Sequence, residues 1–191
     1  AIVRQLDLDP QKYAHKLIQD EGGIDKCAIP FNQDTPNDVP SDGIYLAPII
    51  SKENTGVRYA EILKQIFNNE SNAIEKNYDR AIQQEQPGGF TGHGREEISN
   101  FWNTFKSAFP DSKFTIEHIS YTEEKDQAKK AAIRWSLVGT HSGKGNFGNP
   151  SNTPVYVMGI SHAEFGPRGI KNEWVLFDET SIWKQILLKT G

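Results

Sequence analysis

The chain has 191 residues, enough for one generous domain, and its 21 lysines and arginines against 25 acids give a formal charge of −4. No broad positive field is available to hold phosphates, so nucleic acid is not an expected partner. Cys27 is the only cysteine, which rules out an intrachain disulfide and a cysteine-rich zinc site. No apolar run approaches the ~20 residues that span a bilayer, so no membrane partner is expected either. A lone thiol fits a reducing compartment, and a cytoplasmic location is expected, with a leader removed upstream of Ala1 as the open alternative.

Asp9-Pro10 offers a cap and a first-turn proline. Tyr13, Ala14, Leu17 and Ile18 then share one face until Gly22-Gly23, which predicts a short amphipathic helix. From Gly22 to Gly56 no period survives, and Pro30, Pro36, Pro40 and Pro48 punctuate the run. Such a segment is expected to wrap the surface as an arm, or to form a lid over a binding site. The domain reading is therefore an N-terminal helix and arm over 1–56 and a main domain over 57–191. Val57 to Phe67 carries Tyr59, Ile62, Leu63, Ile66 and Phe67 on one stripe, with Asn54 or Thr55 as its cap.

Tyr78 to Gln84 reads as a short strand, broken by Pro87-Gly88-Gly89. The clearest helix follows: Glu96 and Glu97 suit its N-terminal dipole, and Ile98, Phe101, Trp102, Phe105, Ala108 and Phe109 recur at helical spacing up to Pro110-Asp111. Phe114–Tyr121 and Ala128–Thr140 alternate as a hairpin, and Val155–Phe165 and Gly169–Phe177 form another around Gly166-Pro167-Arg168-Gly169. Ile182, Trp183, Ile186 and Leu187 predict a last amphipathic helix. Helices first and four long strands afterwards argue for an α+β class, with helices on one face of a curved, mostly antiparallel sheet.

From Ile74 to Ile186 the chain resembles the SnoaL-like polyketide cyclases of the nuclear transport factor 2-like superfamily. The resemblance rests on pieces in order: Gly92-His93-Gly94-Arg95-Glu96-Glu97-Ile98, Ala108-Phe109-Pro110-Asp111, Arg134-Trp135 with Gly139-Thr140-His141-Ser142-Gly143, and Gly159-Ile160 before Glu173-Trp174 and Asp178. It implies a cone-shaped, nuclear transport factor 2-like (cystatin-like) barrel around a hydrophobic pocket. It also implies a homodimer paired through the convex sheet face, a small-molecule ligand and no cofactor. Members of that family include cyclases that use an acid/base carboxylate, alongside isomerases, dehydratases and silent ligand binders. In one respect this sequence departs from them: where the cyclases carry an aspartate after the Gly-Ile pair, it has Ser161, with His162 beside it.

Serine at its ordinary pKa cannot take a proton as a carboxylate does, so the candidate chemistry moves to His141, read either as acid/base or as a loop histidine bonded to backbone. Arg134 lies among apolar residues and requires a partner, Glu173 or Glu117, or else clamps a substrate anion. Ser161 and His162 are further catalytic candidates, but they fall on opposite strand faces, so only one of them can face the pocket: the family register would turn Ser161 inward and put His162 at a dimer contact, and the opposite register would bring His162 into the pocket. Trp102, Trp135 and Trp174 are core or pocket wall, with Met158 as a further ligand contact, and Tyr78 and His93 stand within reach of a ligand. The five histidines lack ligand spacing and the glycines after His141 match no phosphate-binding fingerprint, so no metal is expected.

Overall fold

A computed structural model describes residues 9–27, 54–70 and 72–191. The central part of the irregular arm, 28–53, lies outside the described residues. Helix α1 (Pro10–Asp20) begins where the Asp9 carboxylate accepts from the backbone N–H of Gln11 at 2.9 Å and of Lys12 at 3.3 Å. Helix α2 (Thr55–Phe67) is capped by Asn54, whose Oδ1 accepts from Val57 N at 2.9 Å. The five-residue helix α3 (Ala73–Asn77) leads into β1 (Tyr78–Gln86) and β2 (Phe90–His93), and α4 (Gly94–Ser107) follows directly. The strands β3 (Lys113–Thr122), β4 (Lys129–His141), β5 (Thr153–Gly166) and β6 (Gly169–Phe177) come next, and α5 (Glu179–Thr190) starts at an Asp178 cap. Helix α3 and strand β2 are additions to the elements expected from the sequence.

The six strands form one sheet in the order β2-β1-β6-β5-β4-β3. All neighbours are antiparallel except β1 and β6, which run parallel. Register shifts interrupt the ladder at Ile116/His118, Glu164/Phe165 and Tyr78/Gln83. Such irregularities increase local twist and bend a sheet, and here the sheet curls around α2 and α4.

Alternation sorts the residues between its two faces. Ile133, Trp135, Leu137, Val157, Ser161, Ala163, Val175 and Phe177 are buried on the concave face, whereas Met158, Ile160, Trp174 and Leu176 are exposed on the convex one. Phe67 of α2 stacks on Phe114 at 4.0 Å between centroids, and Phe105 of α4 lies 4.6 Å from Phe177. Gly159 is required by the same packing, because the Trp135 indole lies across it and a Cβ there would come within 2.2 Å of the ring atom Cζ2.

Beyond the end of β6, the edge of β5 would leave the backbone of Tyr156 open. Gln185 of α5 closes it with a side-chain amide that accepts from Tyr156 N at 2.8 Å and donates to Tyr156 O at 2.9 Å. On the far side of α5, Ala14 and Ile18 of α1 and Cys27 join Leu187 in a small second cluster. Among the described residues, no helix is long and apolar enough to cross a membrane.

Candidate functional site: a buried carboxylate in the concave sheet

Strand β6 turns Glu173 to the concave side with Val175 and Phe177, where its carboxylate is completely buried. Three neutral donors meet it. Tyr59, from the first turn and a half of α2, donates its hydroxyl to Oε1 at 2.6 Å, and Tyr78, the first residue of β1, donates to the same oxygen at 2.9 Å. Gln84, directly across the parallel β1–β6 pair, donates Nε2 to Oε2 at 2.6 Å. The Gln84 amide is oriented in turn by Gln86, whose Nε2 donates to its Oε1 at 2.9 Å. Among the described residues no lysine, arginine or histidine pairs with Glu173.

Burial therefore pushes the Glu173 carboxyl above its ordinary range, and the hydrogen bonds from Tyr59, Gln84 and Tyr78 oppose that shift without cancelling it. The two phenols are raised well above their usual range, first by burial and then by the adjacent Glu173 charge, so both stay protonated as donors.

Two indoles extend the polar lining. Trp135 Nε1 donates to Ser161 Oγ at 2.9 Å, and the Ser161 hydroxyl faces that of Tyr59. Trp102 Nε1–H is buried near the Tyr78 hydroxyl and makes no hydrogen bond of good geometry. The arrangement is a single carboxylate acceptor surrounded by hydroxyl and N–H donors. It can exchange a proton and can stabilise negative charge on an oxygen placed among the donors. Rings of Phe67, Phe105, Trp102, Trp135 and Phe177 pack the space beside it, so the carboxylate is sealed from solvent in this conformation.

The expected site residues are brought together only in part. Tyr78 bonds Glu173 directly, Trp102 lies near the Tyr78 hydroxyl, and Trp135 and Ser161 meet each other beside Tyr59; Ser161 faces inward, whereas His162 lies against Trp174 on the other face. His141 does not join them. It ends β4, ten residues from Ala131, which is aligned with Glu173 through Ala163; at ~3.3 Å per residue this is roughly 30 Å along the strand. His141 is fully buried between Phe109 and Phe147, with Nδ1 3.0 Å from Ser151 Oγ and Nε2 without a hydrogen-bond partner among the described residues. Burial lowers its pKa and keeps the ring neutral.

Arg134 is exposed on the convex face opposite Ile160, so the expected buried partner is unnecessary. Trp174 and Met158, read as core or pocket residues, are 41% and 57% exposed on that face, where Trp174 lies against His162 at 5.2 Å. Their parity places them there, opposite to Glu173 and Gly159. His93 is exposed at the start of α4 and contacts the helix only through its backbone N–H, which donates to Glu97 at 2.8 Å.

Sequence reading considered Glu173 only as a partner for Arg134. The signal that marks it is its parity with Val175 and Phe177 together with its place across from Ala163.

A cone of curled sheet closed over two helices, with a polar group on its concave wall, defines the SnoaL-like class of α+β barrels. The SnoaL-like polyketide cyclase family model matches residues 58–186, and the chain belongs to that family. Among solved structures, a protein described as a SnoaL-like polyketide cyclase from Jannaschia sp. CCS1 aligns with a TM-score of 0.58 at 14% identity, over 72% of this chain and 96% of its own. IdmH from Streptomyces antibioticus, described as a polyketide cyclase, aligns with a TM-score of 0.54 at 17% identity, over 67% and 94%. AclR from Streptomyces galilaeus, described as a hydroxylase, gives 0.55 at 14% identity, over 70% and 87%. At these identities the likeness is one of fold. No curated protein matches the sequence.

Proposed function

We propose that the chain binds a small carbonyl compound inside the cone and transfers a proton on it, in chemistry of the cyclase or isomerase type that needs no redox cofactor. The observation that carries this reading is Glu173, a carboxylate removed from water and given three neutral donors but, among the described residues, no cation. An uncompensated buried charge costs several kcal/mol, at about that order even after relaxation, and apolar packing would be the more stable choice at a position with only a structural task.

Glu173 takes a proton from the carbon next to the substrate carbonyl. One of the two phenols, Tyr59 or Tyr78, moves its hydrogen bond from Glu173 to the carbonyl oxygen and stabilises the enolate. The proton then returns from Glu173 to a carbon of the product. The raised pKa makes Glu173 a stronger base than an exposed glutamate. Ser161 stands where the family's cyclases carry aspartate, and Glu173 supplies the carboxylate from the neighbouring strand instead. Tyr78, Trp102 and Trp135 form the ligand wall, and the aromatic lining parts to admit the ligand. A cytoplasmic location and a homodimer belong to the same proposal.

The test is deuterium uptake at the methyl carbon of methyl 4-acetylbenzoate in D2O, followed by NMR. Glu173→Gln should lower the protein-dependent rate by about 10²-fold or more; an unchanged rate would remove Glu173 as the base.

A second reading rests on a different observation. Met158, Ile160, Trp174 and Leu176 form an exposed apolar patch across β5 and β6, the kind of surface that marks a protein–protein contact. In that reading the chain is a dimeric, non-catalytic module, and the rate above would be no greater than background.

A further inference from the structure

A cleft of about 580 Å³ opens between the start of α2, the β3–β4 turn and the β5–β6 hairpin. Its charges are not evenly committed. The Glu123 carboxylate accepts from Thr55 N at 2.8 Å and from the Thr55 hydroxyl, and lies 3.7 Å from Lys129. Glu164 accepts from Asn172 at 3.3 Å and lies 3.9 Å from Lys130. Both carboxylates on the cleft wall are thus engaged. Arg58 and Lys171 line the same cleft, and neither pairs with a carboxylate among the described residues.

The Arg58 guanidinium instead lies over the Phe165 ring, 5.1 Å from its centroid. Phe165 in turn meets Tyr59 edge-on at 6.3 Å, and the Tyr59 hydroxyl is on Glu173 at 2.6 Å. One aromatic ring, 8% exposed, therefore separates the Arg58 guanidinium from the phenol that holds the buried carboxylate.

We propose that this cleft is the entrance to the interior and a carboxylate-binding subsite: Arg58 and Lys171 hold the anionic end of an aromatic keto acid, whose ketone passes Phe165 and reaches Tyr59 and Glu173. The inference rests on the reading of Glu173 as the interior acid/base, and it specifies the substrate class for that site. The planar fork of Arg58 suits a carboxylate, and taking one up draws the guanidinium off the Phe165 face, so the cation–π contact is given up for a charge pair.

The probes are 4-acetylbenzoate, its methyl ester and benzoate, titrated into the full chain while the backbone amide signals of Arg58, Phe165 and Lys171 are followed by NMR. Both carboxylates should move these three signals, and 4-acetylbenzoate should bind about tenfold more tightly than the ester, a preference that shrinks with added salt. The double variant Arg58→Gln, Lys171→Gln should erase the preference while leaving the thermal melt unchanged. Equal binding of acid and ester, survival of the preference in the double variant, or no movement of these signals at millimolar benzoate and 4-acetylbenzoate would each overturn the proposal.

Failure of the underlying reading is separately visible. In Glu173→Gln the carboxylate preference should persist while deuterium uptake falls. Preference without any Glu173-dependent uptake leaves the subsite standing and removes the catalytic reading.

Discussion

Glu173 binds its proton more tightly in the folded chain than in the unfolded one, because burial raises its pKa. Its contribution is therefore fully present below the ordinary glutamate value. It declines as pH rises from there to the raised value, since the unfolded chain releases the proton first. Each pK unit of elevation corresponds to about 1.4 kcal/mol lost across that window. Thermal melts from acid to neutral pH should show this decline in the parent protein, and Glu173→Gln should flatten it. Removing a donor also costs stability: Tyr59→Phe or Tyr78→Phe deletes a buried hydrogen bond to the Glu173 carboxyl, at a cost of about 1–3 kcal/mol by chemical denaturation. At this scale the sequence was only partly legible. In β6 both phases are apolar, Trp174 and Leu176 against Val175 and Phe177, so alternation alone does not say which faces the core. Aromatic character pointed to Trp174, and the structure resolves the phase in favour of Glu173.

Elements long enough to show a period were readable. The stripes of α2 and α4 and the alternation of β3 to β6 each predicted their elements within a few residues, and Asn54, Asp9 and Asp178 cap as their side-chain chemistry demands. Four-residue β2 and five-residue α3 are too short to display periodicity. The parallel pairing of β1 with β6 joins segments about 90 residues apart, which no local pattern encodes. Two element-level contacts can be tested directly. Gly159→Ala forces the Trp135 indole off its strand and should destabilise the fold by about 1–3 kcal/mol, with altered tryptophan fluorescence as the local readout. Gln185→Ala leaves the backbone N–H and C=O of Tyr156 without their partner, and should cost about 1–3 kcal/mol and speed amide exchange at Tyr156.

For the whole molecule, the convex face and the concave face make opposite demands. The concave face is filled with rings and one carboxylate, whereas the convex face leaves Met158, Ile160, Trp174 and Leu176 in contact with water. If that patch is the homodimer contact, Ile160→Lys or Trp174→Glu should halve the mass measured by light scattering at micromolar concentration while sparing the melt. A parent protein that is already monomeric there would exclude the contact. The family resemblance supplies this expectation from the sequence, but the patch itself is hidden there, because the aromatic and thioether character of Trp174 and Met158 reads as interior.

Helix α1 also reaches beyond the family-matching part. That part, 58–186, stops before Leu187 and starts after the Asn54 cap. A fragment trimmed to those limits would sever α5 inside its third turn and strip α2 of its first residues, leaving Trp183 bare where Ala14 and Ile18 had sheltered its side of α5. The packed interior thus runs past the family-matching residues at both ends.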